Sequence, residues 1–326
     1  MVHPWRALLL SGLALGGVAV LANPAASAAP AAEDSAHQVD LGQPLPASCR
    51  MLRVAPTPQE RQQLAPTGRL RVTINTGNFV LTKQQGARIA GLSVDLSQVL
   101  GNQLGVPIEA AVVPSAALDH ERVEAGLSDL GFFGVSEDRA RGGLNAGPSH
   151  GVTYAKTYIQ ILGSYMVRAE SPITDNSQVD QPGNTIVVGK GAVYALWLKR
   201  NLRYATLFEA PTSPEVRPTM LSSGHSIGAG IRNQLLADVT NDPRFRILDG
   251  HFMVINQAMA TATGRPQAIR YLNRFVDVLN HSRCLEQLAI SNQLSGYRLP
   301  GQTPGQAPGQ TPGLTPGRGR KNPLQF

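Results

Sequence analysis

The pattern that most constrains this chain is an alternation of strands and helices that runs from residue 70 to residue 135 and starts afresh near residue 185. Leu70-Arg71-Val72-Thr73-Ile74 alternates apolar and polar side chains, the period-two signature of a strand. A helical stretch follows, with Ser93 placed to cap it and Leu96, Val99, Leu100 and Leu104 on one face. A strand over 108–113, a helix around 116–125 and an unbroken apolar strand over 130–135 close the first round. This β-α-β-α-β order predicts an α/β fold whose mainly parallel sheet is covered on both faces.

The second round opens with Thr185-Ile186-Val187-Val188 as a strand, the turn Gly189-Lys190-Gly191, and a helix through 196–202. Thr206-Leu207-Phe208 and a segment near 226–230 supply further strands with a short helix between them, and Ile231, Leu235 and Val239 recur at one-turn spacing. Residues 252–260 read as a strand leading out of this half. Ile269, Leu272, Phe275, Val276 and Leu279 mark a strongly periodic helix, and a last helix covers about 282–292. Two small α/β lobes are therefore written in series.

The flanks carry different information. Arg6 precedes an apolar run over 7–22, and Ala26-Ser27-Ala28 offers small residues of the kind a signal peptidase reads, so residues 1–28 are expected to be a secretory signal peptide. The run is shorter than the roughly 20 apolar residues a spanning helix needs. No cysteine follows it to take a lipid, which predicts a free periplasmic product. Residues 29–65, rich in Ala, Pro and Gln, read as an N-terminal extension, with folded structure starting near Pro66. From Pro300-Gly301-Gln302-Thr303 onward a four-residue repeat has no apolar periodicity, and residues 298–326 read as a disordered basic tail.

The formal net charge of +7 falls to +6 when Arg6 leaves with the signal, and Arg318, Arg320 and Lys321 place much of the remainder in the tail. With no basic stripe and no interleaved aromatics, a nucleic-acid partner is not expected. Cys49 and Cys284 are the two cysteines, and export would place them where disulfides persist. A bridge would tie the extension to the last helix; two buried thiols are the alternative.

Taken in order, Gly68-Arg69-Leu70-Arg71-Val72, Gly91-Leu92-Ser93-Val94-Asp95-Leu96, Leu104-Gly105-Val106-Pro107, Asp129-Leu130 and Ser171-Pro172-Ile173 give the chain a family likeness. Over about residues 68–295 it resembles the extracellular solute-binding proteins of family 3, the amino-acid-type receptors of ABC importers. The resemblance implies the two-lobed type 2 periplasmic-binding fold, with two strands crossing between lobes near Tyr165-Met166-Val167 and Met253-Val254-Ile255. Lobe 1 would comprise residues 66–166 and 256–297, and lobe 2 residues 167–255. It further implies a monomer without cofactor or metal, which closes on a small-molecule ligand by hinge motion and hands it to an ABC permease.

The same resemblance places the ligand contacts. The loop Asn75-Thr76-Gly77-Asn78-Phe79 leaves the C-terminal end of the first strand, where α/β sheets bind ligands, and Phe79 matches the aromatic that covers the ligand. In Gly134-Val135-Ser136-Glu137-Asp138-Arg139, Arg139 matches the bidentate partner of the ligand carboxylate, while a gapless count selects Arg141. Ser136 would donate its hydroxyl beside that arginine. In lobe 2, Gly191 and Ala192 would aim backbone N–H groups at an anion from a helix N-terminus, and Tyr194 would reach the cleft. Each residue also has an ordinary reading: a core phenylalanine, solvated arginines, a strand-end serine, a steric glycine turn, a tyrosine packed on its own helix.

The chain departs from the family in telling places. Ala192 and Val193 stand where amino-acid receptors carry a hydroxyl, and Ile231 aligns with their ammonium-binding aspartate. Burying an ammonium without a carboxylate partner leaves an uncompensated charge, so a zwitterionic amino acid is not the expected ligand. Arg232 would add a second positive donor, or else lie on the helix surface. If it faces the cleft, the ligand is an organic anion or an amino-acid derivative whose amine is absent or masked. Residues 142–151 look inserted, and Pro218 interrupts the family's helix after Thr212-Ser213-Pro214.

A dehydratase-like enzyme on this fold would need a general acid of tuned pKa in the cleft. Glu137, Asp138, His150 and His251 show no acid-base pairing, and neither a metal-ligand cluster nor a nucleophile elbow is present in the sequence. Ligand binding without catalysis is therefore expected, with an accessory binding protein outside transport, or a cyclohexadienyl-dehydratase-like enzyme on the same fold, as the alternatives.

Overall fold

A computed structural model describes residues 37–136, 151–294 and 296–300, all of which fall within one unit of the chain. Residues 1–36 with the expected signal peptide, 137–150 with Arg139 and Arg141, 295, and the repeat tail from 301 lie outside the described residues.

Folding begins before Pro66, a correction to the sequence expectation. β1 (Gln38–Val39) is followed by α1 (Ala47–Arg50), which carries Cys49, and by α2 (Pro58–Leu64). α2 opens on a complete capping box: the Thr57 hydroxyl accepts from the Glu60 N–H, and the Glu60 carboxylate accepts from the Thr57 N–H. Glu60 also receives both terminal nitrogens of Arg274. The segment's polar, proline-rich composition conceals a helix held by its cap and a salt bridge as much as by apolar burial.

Lobe 1 contains β2 (Leu70–Asn75), β3 (Lys83–Gln85), β4 (Arg88–Ala90), α3 (Leu92–Leu104), β5 (Ile108–Val113), α4 (Ala116–Glu124) and β6 (Gly131–Gly134). β2 and β5 pair in parallel with Leu70 opposite Ile108, and Val72 bridges Leu130 in parallel at the entry to β6. β1 and β3 flank β4 in a small separate sheet. The cap of α3 is Gly91 instead of Ser93: at φ +123° a Cβ there would lie 2.6 Å from the Leu81 carbonyl oxygen, which only glycine tolerates. Ser93 falls in the buried first turn.

Beneath the strand ends sits Asp129, fully buried, taking Nε and Nη2 of Arg71 and Nη1 of Arg265 at 2.8–2.9 Å. Two guanidinium groups offset the cost of burying one carboxylate, and the cluster locks β2 to the segment before α8 (Pro266–His281).

β7 (Val152–Arg168) is the long strand that joins the halves. Over 152–163 it lies antiparallel to β12 (Met253–Ala262); from Gly163 onward it pairs with β10 (Ile227–Ile231). The crossing on β7 therefore falls at Gly163, opposite Met253, two residues before the expected Tyr165. β10, β8 (Thr185–Gly189) and β9 (Thr206–Ala210) are mutually parallel, and β11 (Phe245–Ile247) adds to the far end of β7. Because β7 and β12 thread the crossing, the ladder from β6 through β12, β7, β10 and β8 to β9 is continuous although the chain makes two lobes.

Lobe 2 is covered by α5 (Val193–Asn201), α6 (Val216–Ser223) and α7 (Arg232–Asn241). Ile231 ends β10 and caps α7 instead of joining its apolar face. Pro218 is tolerated as the third residue of α6, where its missing N–H leaves no intrahelical bond unmade. α8 buries Ala268, Tyr271, Leu272, Phe275, Val276 and Leu279 as its periodicity predicts, and α9 (Cys284–Ser291) carries Cys284, bonded to Cys49.

Candidate functional site: the cleft between the lobes

The C-terminal ends of β2, β6, β8 and β10 converge on one seam, the position at which open α/β sheets take ligands. Lobe 1 contributes Asn75, Gly77, Asn78, Ser115 and Gly134, lobe 2 contributes Lys190, Ala192, Val193, Tyr194, Ser213 and Ile231, and Gln257 projects from β12. The cavity is about 30 Å³, space for one or two water molecules. The lobes meet around it. A Cβ on Gly134 would lie 2.5 Å from Cγ1 of Val193, and a Cβ on Gly191, whose φ is +69°, would lie 2.8 Å from that of Ala117.

The polar groups are amides and hydroxyls. Asn75 Oδ1 accepts from the Gly77 N–H at 2.9 Å, an Asx-type turn that holds the loop after β2. Asn78 Nδ2 donates to Gln257 Oε1 at 3.3 Å, across the junction of loop and crossing strand. The buried Tyr194 hydroxyl accepts from the Gly189 N–H at 3.1 Å and donates to Ser213 Oγ at 2.9 Å, and burial pushes its pKa up. Tyr194 thereby fixes the turn after β8 while its ring walls the cavity. Ala192 brings only a methyl group to the N-terminus of α5, leaving that turn without a side-chain cap. Lys190 is the one charged residue among the described lining residues, which include no Asp, Glu or His.

Asn75, Asn78, Gly134, Ala192 and Tyr194 thus come together as lining, with Gly191 at the lobe contact. Other candidates lie elsewhere. Phe79 is 43% exposed and borders a shallow depression with Val80, Lys83 and Asn233, away from the cavity. Ser136 is buried, but it does not line the cavity and its hydroxyl finds no partner among the described residues. Arg232 does not supply a second cleft cation, a correction: its Nη1 is turned onto the carbonyls of Gly250 (2.9 Å) and Leu248 (3.4 Å) and onto Ser164 Oγ (3.3 Å). Those acceptors engage Nη1 and tie α7 to the crossing.

Ser115, Ser213 and Gln257 went unrecognised in the sequence. The polar pair Asn256-Gln257 inside the otherwise apolar run 252–260 was the available signal for the last. It sits opposite Gly134, where the β12–β7 ladder slips register between Gln257 and Ala258, and such bulges re-aim side chains beside sites.

No protein-family model matches the chain, and no curated protein matches it in sequence. Solved structures do resemble it. The solute receptor for L-cysteine of Neisseria gonorrhoeae superposes with a TM-score of 0.61 at 18% identity, covering 72% of this chain and 93% of that one. A putative binding component of an ABC transporter from Wolinella succinogenes, complexed with lysine, gives 0.59 at 20% identity over 70% and 97%. An amino acid ABC transporter substrate-binding protein from Streptococcus pneumoniae, bound to L-arginine, gives 0.60 at 17% over 72% and 99%. The chain therefore has the two-lobed type 2 periplasmic-binding fold of amino-acid-binding proteins that serve ABC transporters. Among the described residues no helix is long and apolar enough to cross a membrane.

Proposed function

We propose that the protein captures a small polar ligand bearing a carboxylate but no free ammonium, closes on it in the periplasm as a monomer, and presents it to an ABC importer. The observation that carries this reading is the composition of the cleft. Its described lining offers Lys190, an uncapped helix N-terminus and three side-chain amides, and no acidic residue. Ile231, which the family resemblance aligns with the ammonium-binding aspartate, is buried and lines the cavity. The likeness to proteins that bind L-cysteine, lysine and L-arginine supports solute capture, while the lining argues for a different charge pattern.

Asn75, Asn78, Gly134, Gly191, Ala192 and Tyr194 belong to this proposed site, with Arg139 as the sequence's candidate for the carboxylate. Native mass spectrometry of the secreted protein, followed by a thermal-shift comparison of carboxylates with amino acids, tests the reading. Ligand at ~100 times its Kd stabilises by ~2.7 kcal/mol. Carboxylates are expected to give the larger shifts. Larger shifts with zwitterionic amino acids would reject it.

A further inference from the structure

The cleft leaves one acceptor without a donor. Asn78 is 7% exposed and lines the cavity; its Nδ2 is engaged by Gln257, and its Oδ1 has no hydrogen-bond partner among the described residues. Buried amide oxygens are normally paired, because leaving one dry forfeits its hydration with nothing in return. Facing it from lobe 2, nine-residue α5 presents a first turn that Ala192 does not cap, with Lys190 just before it. The cavity thus has a place for a hydrogen-bond donor on one wall and for an anion on the other.

The nature of the donor follows from what surrounds it. An ammonium at Asn78 would meet a neutral amide and no carboxylate among the described lining residues, and a buried charge so placed is costly. An amide N–H would bring an acyl group with it, and with Val193 seated on Gly134 that added bulk would part the lobes further than a hydroxyl would. A hydroxyl is neutral, compact and donates.

We infer that the ligand is a short 2-hydroxy carboxylate, whose hydroxyl donates to Asn78 Oδ1 while its carboxylate lies at the N-terminus of α5 beside Lys190. The inference rests on the solute-capture reading above and adds the ligand class.

Calorimetric titration of the full secreted chain with glycolate, L-lactate, propionate and L-alanine tests it. Glycolate or L-lactate is expected to bind at least ~10-fold tighter than propionate, the loss expected for one unmade buried hydrogen bond. Asn78→Asp supplies the missing charge partner, and L-alanine should then bind tighter than L-lactate. Lys190→Ala, at an exposed position, should weaken L-lactate without moving the melt of the empty protein. Equal affinity for propionate and L-lactate would overturn the hydroxyl assignment and leave solute capture standing. L-alanine as the tightest ligand of the unaltered chain would overturn both the hydroxyl and the absence of an ammonium. Should all four fail while native mass spectrometry finds another retained small molecule, only the ligand class falls; retention of none, with no shift from any compound, removes the solute-capture reading itself.

Discussion

Glu60 lies buried beneath Arg274, and the guanidinium's hydrogen bonds outweigh burial to hold its carboxyl at a pKa of about 2 against an ordinary 4.5. A depressed folded-state pKa means that the pair stabilises fully above the ordinary value and loses its contribution as pH falls through 4.5 towards 2. Glu60→Gln is expected to cost about 1–3 kcal/mol at neutral pH and almost nothing at the acid end of that window, since half-exposed Arg274 is partly screened. Urea unfolding at both pH values measures the difference. The two arginines of interest separate by readout. Arg232→Ala should lower the melting temperature by releasing three oxygen acceptors at the crossing, with ligand affinity changed little. Arg139→Ala should weaken carboxylate binding and spare the melt. Calorimetry of each variant with and without ligand decides. Among single residues, Asp129 was legible as part of a family likeness, but its two arginine partners are distant in sequence, and only their convergence explains it.

At the scale of elements, Gly134 and Gly191 are where the lobes touch. A methyl at Gly191 meets Ala117 and also forces an L-residue into positive φ, at a cost of roughly 1–2 kcal/mol. Gly134→Ala and Gly191→Ala are both expected to hold the lobes apart, raising the radius of gyration of the empty protein in small-angle scattering and weakening ligand at least ~10-fold, about 1.4 kcal/mol. An unchanged radius in both variants would show that these contacts do not limit closure. Helices α3 and α8 were legible because their apolar spacing is a local property that survives any context. α2 was not, since a capping box and a distant arginine do work that no seven-residue apolar pattern could. The full extent of β7 escaped for a related reason: a strand that serves two lobes changes which face is buried along its length.

For the whole molecule, the Cys49–Cys284 bond closes a loop of 235 residues and fastens the N-terminal segment to lobe 1. Chain entropy assigns such a closure about 5 kcal/mol, of which engineered and native bridges typically show 2–4. Cys49→Ser should therefore lower unfolding free energy by about 2–4 kcal/mol, read as a reduced urea midpoint, with a similar drop when the unaltered protein is reduced. A midpoint indifferent to both treatments would mean that the segment is held by Glu60 and its partners alone.

Local periodicity and turn chemistry determined the order of the principal strands and helices and the division into two lobes, because each depends on neighbours a few positions away. Only the tertiary structure decided that Gln257 enters the cleft while Arg232 leaves it, that Phe79 stays outside, and that Val193 closes on Gly134. A side chain's destination is set by acceptors and steric gaps contributed from distant segments, and no spacing along the chain records them.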